Sequence, residues 1–162
     1  MKHIVVTLVT LVVAFGGITS SVQAVDPDVQ ALVNEGNGFL DEGDIPNAEI
    51  SFTNAKGLAV DSRDWDGMLL LADRFLTIGS EYHGKDSFLI ASQIAHEIAD
   101  RSAQLLDQNM CDDAVNTLSR VAMAWETGLI DIPMAEDTMS QMQGMSDIAG
   151  QNADYYEEHG CF

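Results

Sequence analysis

Apolar residues recur at three- and four-residue steps along most of this chain, the period of helices with one buried face. Val29, Leu32, Val33, Gly36, Phe39 and Leu40 form the first such stripe. Asp26-Pro27 opens it with a capping acid and a proline placed where its missing N–H is harmless, and Gly43 closes it. Asp44 caps a second helix whose inner face carries Ala48, Phe52, Ala55 and Ala59, small enough for two helices to approach closely. Asp64 starts a third, with Trp65, Met68, Leu69, Ala72, Phe75 and Leu76 inward and Gly79 as its stop. Gly79 to Asp86 is polar and reads as the longest loop. A fourth helix is predicted from Ser87 to about Asp107, carrying Phe88, Ala91, Ala95, Ile98, Ser102 and Leu105. A fifth follows Cys111-Asp112-Asp113, with Ala114, Leu118, Val121, Ala122 and Trp125 inward, and Gly128 breaks it. The sixth is expected to open at Asp131 and run past Met145, bending at Gly144 or Gly150. No segment alternates as a strand does. The predicted fold is therefore all-α, an irregular array of about three helical hairpins.

Two stretches of the chain nearly coincide. Asp44-Ile45-Pro46-Asn47-Ala48-Glu49 through Gly57 recurs as Asp131-Ile132-Pro133-Met134-Ala135-Glu136 through Gly144, an offset of 131 − 44 = 87 residues. Both copies open on a helix-start signal, so each reads as the second helix of a repeated hairpin.

Residues 29–62 resemble a tetratricopeptide repeat (TPR). Leu32, Gly36, Phe39, Ala48, Phe52 and Ala55 stand at that family's relative spacings, while Val60 occupies the place where the family has proline. A weaker copy covers about residues 112–148. The resemblance implies a stack of helical hairpins with ligands on the concave face made by the first helix of each. Asn34, Asn37 and Asp41 would lie there on one first helix, with Arg74 and Arg120 on the other two. The asparagines suit a peptide backbone and the arginines a carboxylate. Family members that grip a C-terminal carboxylate also use lysine on this face, and none stands here. A polar face that meets only water fits the same residues equally well.

The ends and totals narrow the setting. Met1-Lys2-His3, the apolar run Ile4 to Ile18 and the small residues of Val22-Gln23-Ala24 form a secretory signal peptide, with cleavage expected after Ala24. Removal leaves 162 − 24 = 138 residues, 25–162, enough for one domain with its own core. It also removes Lys2, so the 26 acidic residues face 7 − 1 = 6 Lys and Arg, a net charge of −20. Nucleic acid and anionic lipid are thereby disfavoured as partners, and a protein or peptide, especially a basic one, is favoured. Such acidity equally serves solubility outside the cell or adaptation to a saline medium, and the latter predicts loss of helicity at low salt. Cys111 and Cys161 are the only cysteines. In a periplasmic or secreted chain they are expected to pair, tying the tail at about 150–162 to the start of a helix.

Three constellations invite chemical readings. Met139, Met142 and Met145, with Met134 nearby, stand at three-residue steps and could ligate Cu(I), with His159 and Cys161 as further candidates. The repeat alignment opposes this, because Met139 falls in the slot of Phe52 and Met142 in that of Ala55, both inward positions filled by packing. Ser62-Arg63-Asp64-Trp65-Asp66-Gly67-Met68-Leu69 with Asp73 echoes a calcium loop, but its first position is Ser and its end is apolar, so a helix cap at Asp64 accounts for it better. His83, His96 and His159 lie beside no nucleophile, phosphate loop or zinc-type spacing. The expected role is a non-enzymatic, cofactor-free scaffold that binds a protein or peptide and is open to self-association. The alternative is a periplasmic copper-binding protein.

Overall fold

The computed structural model describes residues 24–162, so the expected signal peptide, apart from Ala24, lies outside the described residues. Six helices follow one another: α1 Pro27–Asp41, α2 Ile45–Ser62, α3 Trp65–Thr77, α4 Glu81–Leu105, α5 Gln108–Thr127 and α6 Glu136–His159. There is no strand among the described residues. Each first helix packs on its second, α1 on α2, α3 on α4 and α5 on α6, while α2–α3 and α4–α5 contacts join the hairpins into an array. No described helix is long and apolar enough to cross a membrane.

The first two hairpins are built alike, residue by residue. Gly43 and Gly79 both adopt left-handed φ, 77° and 78°. At each, the glycine N–H and the next N–H close back on the helix: Gly43 to Leu40 O and Asp44 to Phe39 O, Gly79 to Leu76 O and Ser80 to Phe75 O. The second helices then bury Ala48, Ser51, Phe52, Ala55 and Ala59 in one case and Gly84, Ser87, Phe88, Ala91 and Ala95 in the other. The offset is constant at 88 − 52 = 36 residues. Phe52 meets Phe75 edge to face at 6.0 Å and locks one hairpin to the next.

Two close approaches depend on glycine. A Cβ on Gly36 would lie 2.3 Å from the Phe52 ring, and one on Gly84 would lie 2.6 Å from Leu76 Cγ. Gly84 therefore belongs to a helix. The loop expected over Gly79–Asp86 is instead the first turns of α4, which starts at Glu81. Tyr82 is exposed and the other polar residues of the stretch are half-buried, while the missing side chain of Gly84 lets α4 settle on α3. Leu105, expected inside, is exposed in the last turn of α4.

The third hairpin departs from the pattern. Helix α5 starts at Gln108, ahead of the expected Cys111-Asp112-Asp113, because Asp107 accepts from the N–H groups of Asn109 and Met110. Beyond Gly128 comes a short 3-10 turn, Leu129–Asp131, and then extended backbone. Asp131 thus caps nothing, and α6 begins only at Glu136. Leu129 is buried and Ile132 and Met134 pack on the core, which holds this connection in place. The Glu81 carboxylate of α4 substitutes for a local cap, accepting from the Ala135 N–H at 2.9 Å and the Thr138 hydroxyl at 2.8 Å. From there the register returns: Thr138, Met142 and Ser146 are buried where Ser51, Ala55 and Ala59 are. Helix α6 continues unbroken through Gly144 and Gly150 to His159, so most of the expected tail is helical. Cys111 and Cys161 are bonded, as expected from the sequence, with Cα atoms 5.7 Å apart.

Candidate functional site

The three first helices share a groove. Its wall from α1 is Gln30, with Val25 just ahead of the helix; α3 supplies Asp66, Leu69 and Leu70, and α5 supplies Arg120, Met123, Ala124 and Thr127. The space is about 520 Å³. Its base is fixed by Asp64, a buried carboxylate that caps α3 through the Gly67 N–H (2.9 Å) and accepts the Asp26 N–H (2.8 Å) at the start of α1. Gly67 is required there, since a Cβ would meet Asp64 Oδ2 at 2.4 Å. One carboxylate therefore registers two first helices against each other.

Above this base, Arg120 donates to Asp66 Oδ1 at 2.9 Å and lies 5.0 Å from the centre of the Trp65 ring. Burial holds the Asp66 carboxyl above its ordinary value, with the Arg120 charge opposing that rise and Asp64 adding to it. The guanidinium is thus oriented by a planar ring and a carboxylate, and it is half-exposed toward the groove. Beside it Met123 is 55% exposed, a flexible apolar side chain at the groove wall.

Of the five residues expected to bind a ligand, only Arg120 lines this groove. Asn34 is exposed on α1 and accepts from Gln30 Nε2 at 3.0 Å, one turn along from the groove. Asn37 and Asp41 lie further along α1, half-buried and exposed respectively. Arg74 faces its neighbour Asp73 at 3.5 Å, and its Nε is buried without a partner. Gln30, Asp66, Leu70 and Met123 were not singled out as ligand contacts from sequence. For Gln30, Leu70 and Met123 the available signal was their three- or four-residue step from Asn34, Arg74 and Arg120; Asp66 carries no such signal.

The other candidates have structural surroundings. Met142 is fully enclosed, and Met134, Met139 and Met145 pack partly buried against the core. The Cys161 sulfur, considered as a copper ligand, is bonded to Cys111. In the calcium-like segment, Asp64 accepts backbone N–H groups and Asp66 takes Arg120. The three described histidines sit in different settings. His96 bridges Ser92 O and Asn152, His83 lies 5.1 Å from Phe75, and His159 stacks on Tyr155 at 4.6 Å. Compared with known proteins, the chain matches no family model, no curated protein and no solved structure.

Proposed function

We propose that this protein is a non-enzymatic scaffold of the tetratricopeptide kind, working in the periplasm or outside the cell, that holds a protein or peptide segment in the α1/α3/α5 groove. The observation that carries this reading is the groove itself: the first helix of all three hairpins contributes to one wall, around an arginine fixed by Trp65 and Asp66. The 36-residue correspondence of the first two hairpins supports a repeat origin, near the TPR period of about 34. So do the small residues at their crossings, Gly36 and Ala72, Ala48 and Gly84. The disulfide supports an oxidising compartment. Half-buried Leu70 and exposed Met123 offer apolar contact, while Gln30 offers amide hydrogen bonds to an extended backbone. Because Asp66 already meets Arg120, the groove presents little net cationic charge, and the −20 background favours a basic or neutral segment.

A photoreactive residue placed at Met123, and separately at Leu58 on the outer face of α2, tests the reading in envelope extracts. Cross-links are expected from position 123 alone and should fall when Arg120→Glu is introduced. Identical cross-links from both positions would remove the groove as the binding surface.

A further inference from the structure

On the second helices, α4 and α6 line another cleft of about 460 Å³, sharing no residue with the groove above. Its walls are apolar. Tyr82 and Leu89 from α4 and Ile148 from α6 stand 73%, 38% and 55% exposed around it, with Met145 between them. A chain this acidic has little reason to gather large apolar side chains in one exposed place for its own packing. The volume lies within the range of small-molecule sites, about 300–1,000 Å³.

Charge at the rim selects the occupant. Lys56 and Lys85 are the two described lysines, and they are treated differently. Lys56 pairs with Asp86, the one acid lining the cleft, and so neutralises it. Lys85 Nζ donates instead to the uncharged Oε1 of Gln141 at 2.8 Å. Gln141 is itself held by its amide N–H on Asp137 at 2.6 Å, which presents Oε1 toward the lysine. A positioned ammonium without a carboxylate partner therefore stands at the edge of an apolar trough.

The floor is open because α6 carries a glycine there. A Cβ on Gly144 would meet nothing within 4 Å, so no packing within the fold requires it. Glycine nevertheless weakens a helix interior by about 1 kcal/mol relative to alanine. Its repeat counterpart Gly57 also meets open space but lines neither this cleft nor the α1/α3/α5 groove, which makes it the natural control.

We infer that the α4/α6 cleft binds an amphipathic carboxylate, with the acyl chain along Leu89, Met145 and Ile148 over Gly144 and the carboxylate on Lys85. A single ammonium matches one negative charge, and a more highly charged head would be repelled by the surrounding acids. Decanoate is the probe, added to the disulfide-bonded chain 25–162 carrying 13C-methyl methionine. The Met145 methyl resonance is expected to shift saturably, while that of Met123, in the other groove, stays in place. Lys85→Gln should weaken binding about tenfold or more, and Gly144→Leu should abolish it, whereas Gly57→Leu should leave it unchanged. Methyl decanoate should bind far more weakly than decanoate. An unmoved Met145 signal, equal shifts at Met123, or equal affinity for the ester would overturn the inference. So would a Met145 shift that depends on protein concentration without ligand, which would make a second copy the occupant. The methionine readout uses the unsubstituted chain and is independent of how well any variant folds.

Discussion

The first two hairpins and the third hold their helices together by different means. In α1–α2 and α3–α4 a left-handed glycine ends the first helix, and two residues later the second has begun. Matching serine, phenylalanine and alanine positions then enter the core. The α5–α6 pair keeps the buried face but joins its helices through a 3-10 turn and an extended stretch. A carboxylate from the preceding second helix meets the start of α4 and of α6 alike, Glu49 on the Ser80 hydroxyl and Glu81 on the Ala135 N–H, but the third hairpin adds a covalent tie, the Cys111–Cys161 bond near its end. A tight turn sets the register of two helices locally. A longer connection leaves more conformations to exclude, and bonds from elsewhere in the chain must exclude them.

That contrast can be broken most directly in the core. Phe52→Ala and Phe88→Ala should each lower the unfolding free energy by about 3–5 kcal/mol, because both rings are wholly enclosed at equivalent places. Met139→Ala, in the same register in α6 but half-exposed, should lose about 1–2 kcal/mol. Urea titration reads all three, and equal losses would erase the distinction.

Removing the bond with Cys111→Ser and Cys161→Ser together should cost about 4 kcal/mol for its 50-residue loop. Amide exchange should speed up most in the last turns of α6, with a smaller and uniform change across α1–α4. Protection lost evenly over all six helices would show that the third hairpin is no more dependent on its staple than the rest.

Glu81→Ala should remove about 1–2 kcal/mol and fray the first turn of α6, visible as faster exchange at Thr138 and Met139. Asp131→Ala should change stability by less than about 0.5 kcal/mol, and Asp44→Ala, which removes a true cap, by about 1 kcal/mol. Similar losses at Asp131 and Asp44 would restore the equivalence of the two Asp-Ile-Pro stretches.

The smallest effect concerns pH. Burial raises the Asp66 carboxyl above its ordinary 3.8, so its favourable contribution is complete below that value and is lost as pH rises through the raised one. The stability difference between the native chain and Asp66→Asn should therefore shrink with rising pH, as followed by Tm from pH 3 to 7. A difference that grows with pH would mean that the attraction of Arg120 outweighs burial.

Helicity and buried faces were legible in the chain because three- and four-residue periodicity survives any rearrangement of the turns. Most of the first five stripes are inside as expected. The Asp131-Ile132-Pro133 start misled because its letters repeat Asp44-Ile45-Pro46 while buried Leu129, three-dimensional information, holds the backbone extended. The polar stretch after Gly79 misled for the opposite reason, since Gly84 looks like a loop residue until Leu76 is seen pressing on it. Yet Ser87-Phe88, Ala91 and Ala95 repeat Ser51-Phe52, Ala55 and Ala59 in plain letters, and that 36-residue echo outranks the 87-residue one. Arg120 could be marked from its helix position. Its partners could not, because Asp66 stands 120 − 66 = 54 residues away and only folding brings them together.

Stretched by its two ends, this molecule would lengthen on one side only. Tension applied at residue 162 crosses from Cys161 straight to Cys111, so α5 beyond that point and all of α6 carry none of it. The extensible part is the run from residue 24 to Cys111, the two hairpins without a covalent tie. A single-molecule trace should therefore stop short by the slack of the closed loop, and a thiol reductant should release that slack in one further step.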